Sequence, residues 1–285
     1  MNFFNDQVIG ESETYARIRD RPEDWPIKSQ IEGFWQIYKS YAPRNFKKEV
    51  QRNFHQRWRE MFLSVGMINL GFNIITSRKD KGPDLRIQNI SDQNIWIEAI
   101  APRSGSKDHV IPDMRSGIHD LPESEFLLRL TSAVDSKKSK FVDYLSKGVI
   151  KEDDVCIIAL SACDLKQYGS LMNTPIPALL KILAGGGSLT LTKDRSYIAP
   201  RENIIKNSGA DIEVRLFEDP SFDLIAAILY SVSDPLNSPD KPEDTFQLFI
   251  NPLAKSDVSR INFHGIDLWF QSVKQEDYSM WSRKI

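Results

Sequence analysis

The alternation of apolar and polar positions predicts a β-hairpin over residues 83–100. Two short runs, 83–87 and 95–100, have the composition of strands, and the Asn-, Asp- and Ser-rich residues between them are typical of a turn. Successive side chains of a strand point to opposite faces, so the second strand presents Ile95, Ile97 and Ala99 on one face and Trp96, Glu98 and Ile100 on the other. Both faces are apolar, which predicts a strand covered on both sides with a carboxylate between two large apolar groups.

Helical spacing of apolar residues predicts the main helices. Residues 45–71 form the longest such pattern and residues 123–147 the second, with Gly71 ending the first. A shorter helix is predicted from Ser29, which has a glutamate three residues later in the capping-box position, to the turn before Pro43. Residues 1–28 are polar, contain two prolines and are expected to be irregular.

Further strands are predicted after the second long helix. Residues 155–162 form a continuous apolar run, as expected of a strand buried on both faces, and the helix before it fits a parallel crossover in an α/β sheet. A short helix over 175–183 ends at three glycines, and strands are predicted within 188–191, 224–231 and 245–250. These elements divide the chain into an N-terminal helical lead-in (1–44), a core (45–165) and a strand-rich C-terminal extension packed on the same domain (166–285).

Composition and charge narrow the class of protein. The chain has 285 residues, 41% of them hydrophobic, and six tryptophans, which is ample for a sizeable core. The net charge of −2 gives no global basic field, so binding to nucleic acid has to be argued locally. Cys156 and Cys163 are too far apart on one strand to form a disulfide, which favours free thiols. Residues 1–6 lack the features of a secretory signal, and no apolar run reaches about 18 residues, so a cytoplasmic protein without a membrane partner is expected.

Candidate chemistry begins with Asp84 and Glu98, one on each strand of the predicted hairpin. A buried carboxylate is costly unless it is paired, hydrogen-bonded or bound to a metal, and oxygen-rich sites suit Mg²⁺. Without a metal the two carboxylates would repel each other, so replacing Glu98 by alanine is expected to leave the fold intact and to stabilise the metal-free protein. The alternative is a core hairpin with a surface aspartate and a structurally paired glutamate.

Two cationic regions flank this hairpin. The most basic segment carries Arg44, Lys47, Lys48, Arg52, Arg57 and Arg59, and it is either a solvated helix face or a surface for phosphates. On the second long helix, Lys137 lies within the apolar stripe, where an ammonium needs a carboxylate unless it reaches the helix edge. Arg129 and Lys140 share a neighbouring stripe that could face phosphates. Glu60, at the edge of the apolar face of the first helix, is placed to pair with Arg57 three residues before it.

Pro83-Asp84 on one strand and Glu98 on the next resemble the signature of the PD-(D/E)XK nuclease superfamily. The resemblance covers roughly residues 45–165 and implies a restriction-endonuclease-like mixed sheet flanked by helices, an α/β fold. The sequence departs from the signature at Ile100, where the family's lysine is expected. In some branches that lysine lies on the following helix, where Lys137 is the matching cation. Members also often place a glutamate on the helix before the first core strand, and Glu60 holds that place.

The resemblance implies a metal-dependent endonuclease that hydrolyses phosphodiester bonds. Asp84 and Glu98 would hold Mg²⁺ or Mn²⁺, with Lys137 and Glu60 completing the catalytic set. The phosphate backbone of the nucleic acid would be bound by Lys47, Lys48, Arg52, Arg57, Arg129 and Lys140. DNA is the first expectation for this nucleic acid and RNA the second. Cleavage of both strands of a duplex generally needs two sites, which suggests a homodimer. Ile100 also favours a second hypothesis, a nuclease-like fold that no longer cuts and serves as a binding or interaction module.

Overall fold

The protein folds around an eight-stranded mixed β-sheet. The structure, a computed structural model, describes residues 2–4, 10–75, 82–88, 94–105, 110–113, 120–165, 177–191, 196–201, 203–205, 209, 211–258, 261, 263–274 and 279–284. In these ranges the strands are β1 (Asn73–Ile74), β2 (Leu85–Gln88), β3 (Asn94–Ile100), β4 (Val155–Ser161), β5 (Gly186–Leu191), β6 (Ser196–Pro200), β7 (Asn203–Ile205), β8 (Asp211–Glu213), β9 (Ile225–Ser231), β10 (Gln247–Ile250), β11 (Asp267–Lys274) and β12 (Ser279–Lys284).

The large sheet has the strand order β1-β2-β3-β4-β9-β10-β11-β12. Its centre is parallel, because β4 pairs in parallel with both β3 and β9. Towards one edge, β2 pairs antiparallel with β3 and β1 with β2, which gives the predicted hairpin. Towards the other edge, β10 is antiparallel to β9, β11 is parallel to β10, and β12 is antiparallel to β11. The remaining strands form two small hairpins, β5–β6 and β7–β8.

Helices cover both faces of this sheet. They are α1 (Glu13–Asp20), α2 (Trp25–Tyr38), α3 (Phe46–Arg52), α4 (Phe54–Asn69), α5 (Glu123–Ser146) and α6 (Ala178–Leu183). One core cluster packs α1–α4 against the face that carries Ile95 and Ile97, and a second packs α5 and α6 against the face that carries Ile158 and Ile228. The predicted alternation along β3 is therefore confirmed. The molecule is a mixed α/β protein with helices on both sides of a sheet.

The prediction of an irregular segment over residues 1–28 is wrong. This segment contains α1 and the beginning of α2, which starts at Trp25 with Pro26 in its first turn, where a proline costs no hydrogen bond. Ser29 is therefore inside the helix and does not cap it. Glu32, expected to complete a capping box, instead accepts hydrogen bonds from the backbone N–H groups of Phe3 and Phe4 at 2.7–3.1 Å.

The predicted helix over 45–71 is two helices. The chain leaves helical geometry at Asn53, where φ is −114° and ψ is 47°, and α4 begins at the next residue. Among the described helices α5, with 24 residues, is the longest, and it fulfils the prediction for 123–147. The predicted strand over 155–162 is confirmed as β4, which is buried along almost its whole length.

The C-terminal extension contributes half of the strands in the large sheet. Two predicted strands became β9 and β10, with a 3₁₀ turn at Pro242–Thr245 in the connection between them. The helix predicted to end at the glycine triplet does end there, because α6 stops at Leu183 and Gly185 has a φ of +68°. The triplet is not a turn throughout, since Gly186 is already the first residue of β5. After β10 the chain turns at Asn251, whose buried side-chain amide donates to the carbonyl oxygens of Phe222 and Ile225 at 3.0 and 2.8 Å. The hairpin β11–β12 was not predicted.

Candidate active site

The hairpin β2–β3 places Asp84 and Glu98 side by side. Leu85 pairs with Ile97, so Asp84, the residue before β2, lies opposite Glu98 on the neighbouring strand. The Asp84 carboxylate also accepts a hydrogen bond from the backbone N–H of Ala99 at 2.8 Å. Asp84 is 45% exposed, whereas the Glu98 side chain has no exposure to solvent. Asp84 is therefore open to solvent, whereas Glu98 is buried.

Three side chains of α5 meet at Glu98. Lys137, Lys140 and Tyr144 follow each other at spacings of three and four residues, which places them on one face of the helix. The Lys137 ammonium contacts Glu98 Oε2 and lies 3.4 Å from Asp84 Oδ2, and the Lys140 ammonium lies 3.3 Å from Glu98 Oε2. The Tyr144 hydroxyl lies 2.9 Å from Glu98 Oε1. Both oxygens of the buried carboxylate thus have partners, as its burial requires.

The charges of this cluster balance. Two carboxylates, Asp84 and Glu98, face two ammonium groups, of which Lys137 is 8% exposed and Lys140 is 50% exposed. Partial burial lowers the pKa of Lys140, but the Glu98 carboxylate raises it, and the net shift is upward. Burial and the contact with Glu98 both raise the pKa of Tyr144, so its hydroxyl remains protonated at neutral pH. Lys137 is therefore the inner cation of the pair and Lys140 the outer one.

Glu60 approaches the carboxylates from the opposite helix layer. It lies on α4 and lines the same cleft as Asp84. Its carboxylate accepts a hydrogen bond from the Tyr38 hydroxyl at 2.7 Å and contacts the Arg57 guanidinium, which is one of the two alternatives that the sequence left open for Glu60. Burial raises the pKa of Glu60, Tyr38 and Arg57 counteract this, and the charge of Asp84 raises it further. Glu60 is thus electrostatically coupled to Asp84 while its own oxygens are held by α2 and α4.

Of these residues, Glu60, Asp84, Lys137 and Lys140 line a cleft of about 880 Å³, and Glu98 lies behind its wall. The cleft crosses the carboxyl ends of the parallel strands β3, β4 and β9 and is bounded by α4 on one side and α5 on the other. In open α/β sheets, ligands bind in the crevice outside the carboxyl ends of the strands. Asp84, Lys137 and Lys140 lie at the β3 end of the cleft.

The other end of the cleft is held by paired polar groups. Asp164, just after β4, contacts the Arg59 guanidinium, and His55 Nδ1 lies 3.7 Å from the same carboxylate. His55 Nε2 is 3.1 Å from the Thr14 hydroxyl, and Arg59 Nε is 3.0 Å from Cys163 Sγ. Burial lowers the pKa of His55, which favours a neutral imidazole. These contacts fasten α4 to the segment that follows β4.

The residues predicted to hold nucleic acid have different surroundings. Lys48 and Arg52 are exposed on α3, and Arg52 lines the cleft. Lys47 instead contacts the carbonyl oxygen of Asn2, and Arg57 pairs with Glu49 and Glu60. Arg129 packs its guanidinium against Gly105, and Lys140 belongs to the carboxylate cluster.

The donor set fits a hard divalent cation. Two carboxylates from neighbouring strands approach one point, which is occupied by the Lys137 ammonium. Mg²⁺ is commonly held by one or two carboxylates, with waters and substrate phosphates as its other ligands. In the part of the chain that the structure describes, no group of three or more His, Cys, Asp or Glu side chains is placed to hold a metal ion. A cation at Asp84 and Glu98 would therefore take its other ligands from water and substrate.

Sequence reasoning missed Tyr144, Tyr38 and Asp164. Tyr144 lies seven residues after Lys137, so helical periodicity alone could have placed it on the same face. Asp164 and Tyr38 gave no local signal. Asp164 reaches the cleft only through the order of the strands, and Tyr38 reaches Glu60 only through the packing of α2 on α4.

Comparison of the chain with models of protein families, with curated proteins and with solved structures found no match. Among the helices in the described ranges, none combines the length and the apolar character needed to cross a membrane.

Proposed function

We propose that the protein is a metal-dependent nuclease that hydrolyses phosphodiester bonds of nucleic acid. The observation that carries this proposal is the position of Lys137, whose ammonium contacts Glu98 and lies 3.4 Å from Asp84. Two carboxylates and a lysine at one end of a cleft are the groups that phosphodiester hydrolysis with a divalent cation requires. The arrangement supports a restriction-endonuclease-like core in which the lysine has moved from the glutamate strand, here Ile100, to α5.

Each residue has a chemical task in this proposal. Hydrolysis forms a bond from a water oxygen to phosphorus and breaks the bond to a sugar oxygen, which leaves with a proton. A Mg²⁺ or Mn²⁺ ion held by Asp84 and Glu98 would lower the pKa of a bound water and neutralise charge on the scissile phosphate. Lys137, shielded from solvent, stabilises the negative charge that develops at the attacking oxygen. Lys140, half exposed at the mouth of the site, binds a phosphate oxygen of the substrate.

Nucleic acid is the substrate that the cleft favours. Arg52 and Lys140 line the cleft, and exposed Lys48 lies on the same helix as Arg52. These cations can contact phosphates without contacting bases, so they would give affinity for nucleic acid without a sequence preference. DNA is the first substrate to test and RNA the second. A homodimer would present two such sites to the two strands of a duplex.

A second candidate function is a nuclease-like fold that binds but does not cut. The observation that favours it is the balance of charge in the cluster, where Lys137 and Lys140 already neutralise Asp84 and Glu98. A carboxylate that is fully buried and paired in this way can be a purely structural group.

Cleavage assays separate the two candidates. Purified protein is incubated with labelled DNA and RNA oligonucleotides, single- and double-stranded, with Mg²⁺, with Mn²⁺ or with a chelator. We expect metal-dependent cleavage that is lost in Asp84→Ala and in Glu98→Gln. It should persist in Asp143→Ala, which removes an exposed aspartate of α5 that pairs with Lys147. Metal-dependent cleavage by Asp84→Ala would remove this site from consideration, and binding without cleavage by the wild type would favour the second candidate.

A further inference from the structure

The Tyr144 hydroxyl connects two parts of the site that are distant in sequence. It lies 2.9 Å from Glu98 Oε1 and 3.1 Å from the carbonyl oxygen of Gly82. Gly82 is two residues before Asp84, so one hydroxyl contacts both the side chain of one carboxylate and the backbone that carries the other. Asp84 is attached to β3 in turn through its hydrogen bond from the N–H of Ala99.

The two oxygens of Glu98 have separate roles in this arrangement. Oε2 contacts the two ammonium groups, whereas Oε1 is held by Tyr144. A phenolic hydroxyl has one proton to donate, and an ionised carboxylate is a stronger acceptor than a carbonyl. Tyr144 is partly buried, and neither Tyr144 nor Glu98 is among the residues that line the cleft, so Tyr144 contacts Glu98 away from the space open to a substrate.

We propose that Tyr144 is a positioning residue that fixes Glu98 relative to Asp84 and thereby sets the spacing of the carboxylate pair for a divalent cation. The inference rests on the proposed function, because it assigns Tyr144 to the same metal site. Groups that orient metal ligands typically change metal affinity or activity by about 10–100-fold when they are removed.

The test is a calorimetric titration of the full chain with Mn²⁺, for the wild type and for Tyr144→Phe. Phenylalanine keeps the ring and its contact with Phe141, whose ring centroid is 6.3 Å away, so the variant retains the packing of α5. We expect the dissociation constant for Mn²⁺ to rise by about 10–100-fold. Tyr41→Phe is the matched control, because Tyr41 packs at the edge of the core outside the cleft lining, and its Mn²⁺ affinity should equal that of the wild type.

The dependence of kcat on the Mn²⁺ concentration distinguishes a positioning role from a purely structural one. With Tyr144→Phe, kcat should fall at limiting Mn²⁺ and recover at saturating Mn²⁺, while KM for an oligonucleotide stays unchanged. Wild-type Mn²⁺ affinity in Tyr144→Phe would overturn the positioning role and leave the proposed function standing. Failure of the wild type and both variants to bind Mn²⁺ would overturn the proposed function together with the role of Tyr144.

Discussion

Glu98 combines full burial with charge, and its partners explain how the fold tolerates this. The carboxylate has no exposure to solvent and contacts Lys137, Lys140 and Tyr144. Breaking a buried ion pair by removing one partner leaves an uncompensated charge, which is more costly than losing the pair. The expectation from the sequence, that removing Glu98 would relieve repulsion between carboxylates, ignored these two ammonium groups and changes sign once they are seen.

We therefore expect Glu98→Ala to lower the free energy of unfolding by about 3 kcal/mol, because it leaves the Lys137 ammonium buried beside a single carboxylate. Asp84→Ala removes a carboxylate that is 45% exposed and should cost less. Urea denaturation of the metal-free proteins measures both values. A Glu98→Ala variant as stable as the wild type would contradict this account of the cluster.

We expect the positive charge of Lys137 to increase kcat by stabilising the transition state. Lys137→Met keeps the aliphatic part of the side chain and removes the charge, so kcat should fall about 100-fold or more, as for other donors removed from shielded sites. Lys138→Met is the control, because the Lys138 ammonium points away from the site, to Ser221 Oγ at 2.8 Å and to the ring of Phe222. Steady-state cleavage rates with Mg²⁺, measured well below the melting temperature of each variant, give the comparison. Equal cleavage rates in the two variants would show that Lys137 does not replace the lysine expected at the position of Ile100.

At the scale of residues, the sequence predicted the buried carboxylate and the inward lysine for one reason. A polar side chain within an apolar stripe needs a partner, and strand and helix periodicity show where such stripes lie. Which partner is reached depends on how α5 packs across β2 and β3, and the sequence pattern does not contain that information. The pattern indicated that Lys140 contacts phosphates, but it did not predict that the Lys140 ammonium also lies 3.3 Å from Glu98 Oε2.

At the scale of elements, α5 and the hairpin β2–β3 build the end of the cleft that holds Asp84 and Lys137, while α3 and α4 build its basic wall. Long, strongly periodic elements such as α5 and β4 were predicted closely. The break between α3 and α4 was not, because apolar spacing continues across Asn53 while the backbone leaves the helix there. The structure also divides the basic segment, since Arg57 and Arg59 are engaged with carboxylates and Lys48 and Arg52 are exposed.

The exposed pair, Lys48 and Arg52, is therefore the part of the basic segment that we expect to contact nucleic acid. Replacing Lys48 and Arg52 together by alanine should weaken binding equally for unrelated sequences and reduce the log–log salt slope by up to about 2, if both contact duplex phosphates. Fluorescence anisotropy across a salt series measures the slope. The double variant of Lys151 and Lys241, two exposed lysines outside the cleft lining, removes the same charge and should leave the slope unchanged. If the two double variants give the same salt slope, α3 does not contact the nucleic acid and is a solvated surface helix.

At the scale of the whole molecule, the sheet joins the predicted core to the predicted extension. β9, from the C-terminal extension, lies beside β4 in parallel, so the central strand of the sheet is completed by residues outside 45–165. The sequence indicated strands in this region, but pairing between segments about 70 residues apart depends on tertiary packing and leaves no local pattern. The β11–β12 hairpin at the far edge was also missed, although its two strands are separated by only four residues.

We expect a fragment of residues 1–165 not to fold cooperatively. Without β9, the apolar strand β4 becomes an exposed edge, and edges of this kind favour aggregation. Circular dichroism melting and a two-dimensional amide NMR spectrum, compared with those of the full chain, test this. A cooperative transition with dispersed amide signals from the fragment would show an autonomous core and contradict the dependence on β9.

The central claim is that Asp84 and Glu98 share a divalent cation beside Lys137. Its most direct test is a crystal structure of the wild-type protein in saturating Mn²⁺, with anomalous diffraction to locate the metal. The account predicts an anomalous peak between the two carboxylates, about 2–2.5 Å from an oxygen of Asp84, with the Lys137 ammonium moved from its position between them. An absence of anomalous signal there, with Lys137 still in contact with Glu98, would contradict the account.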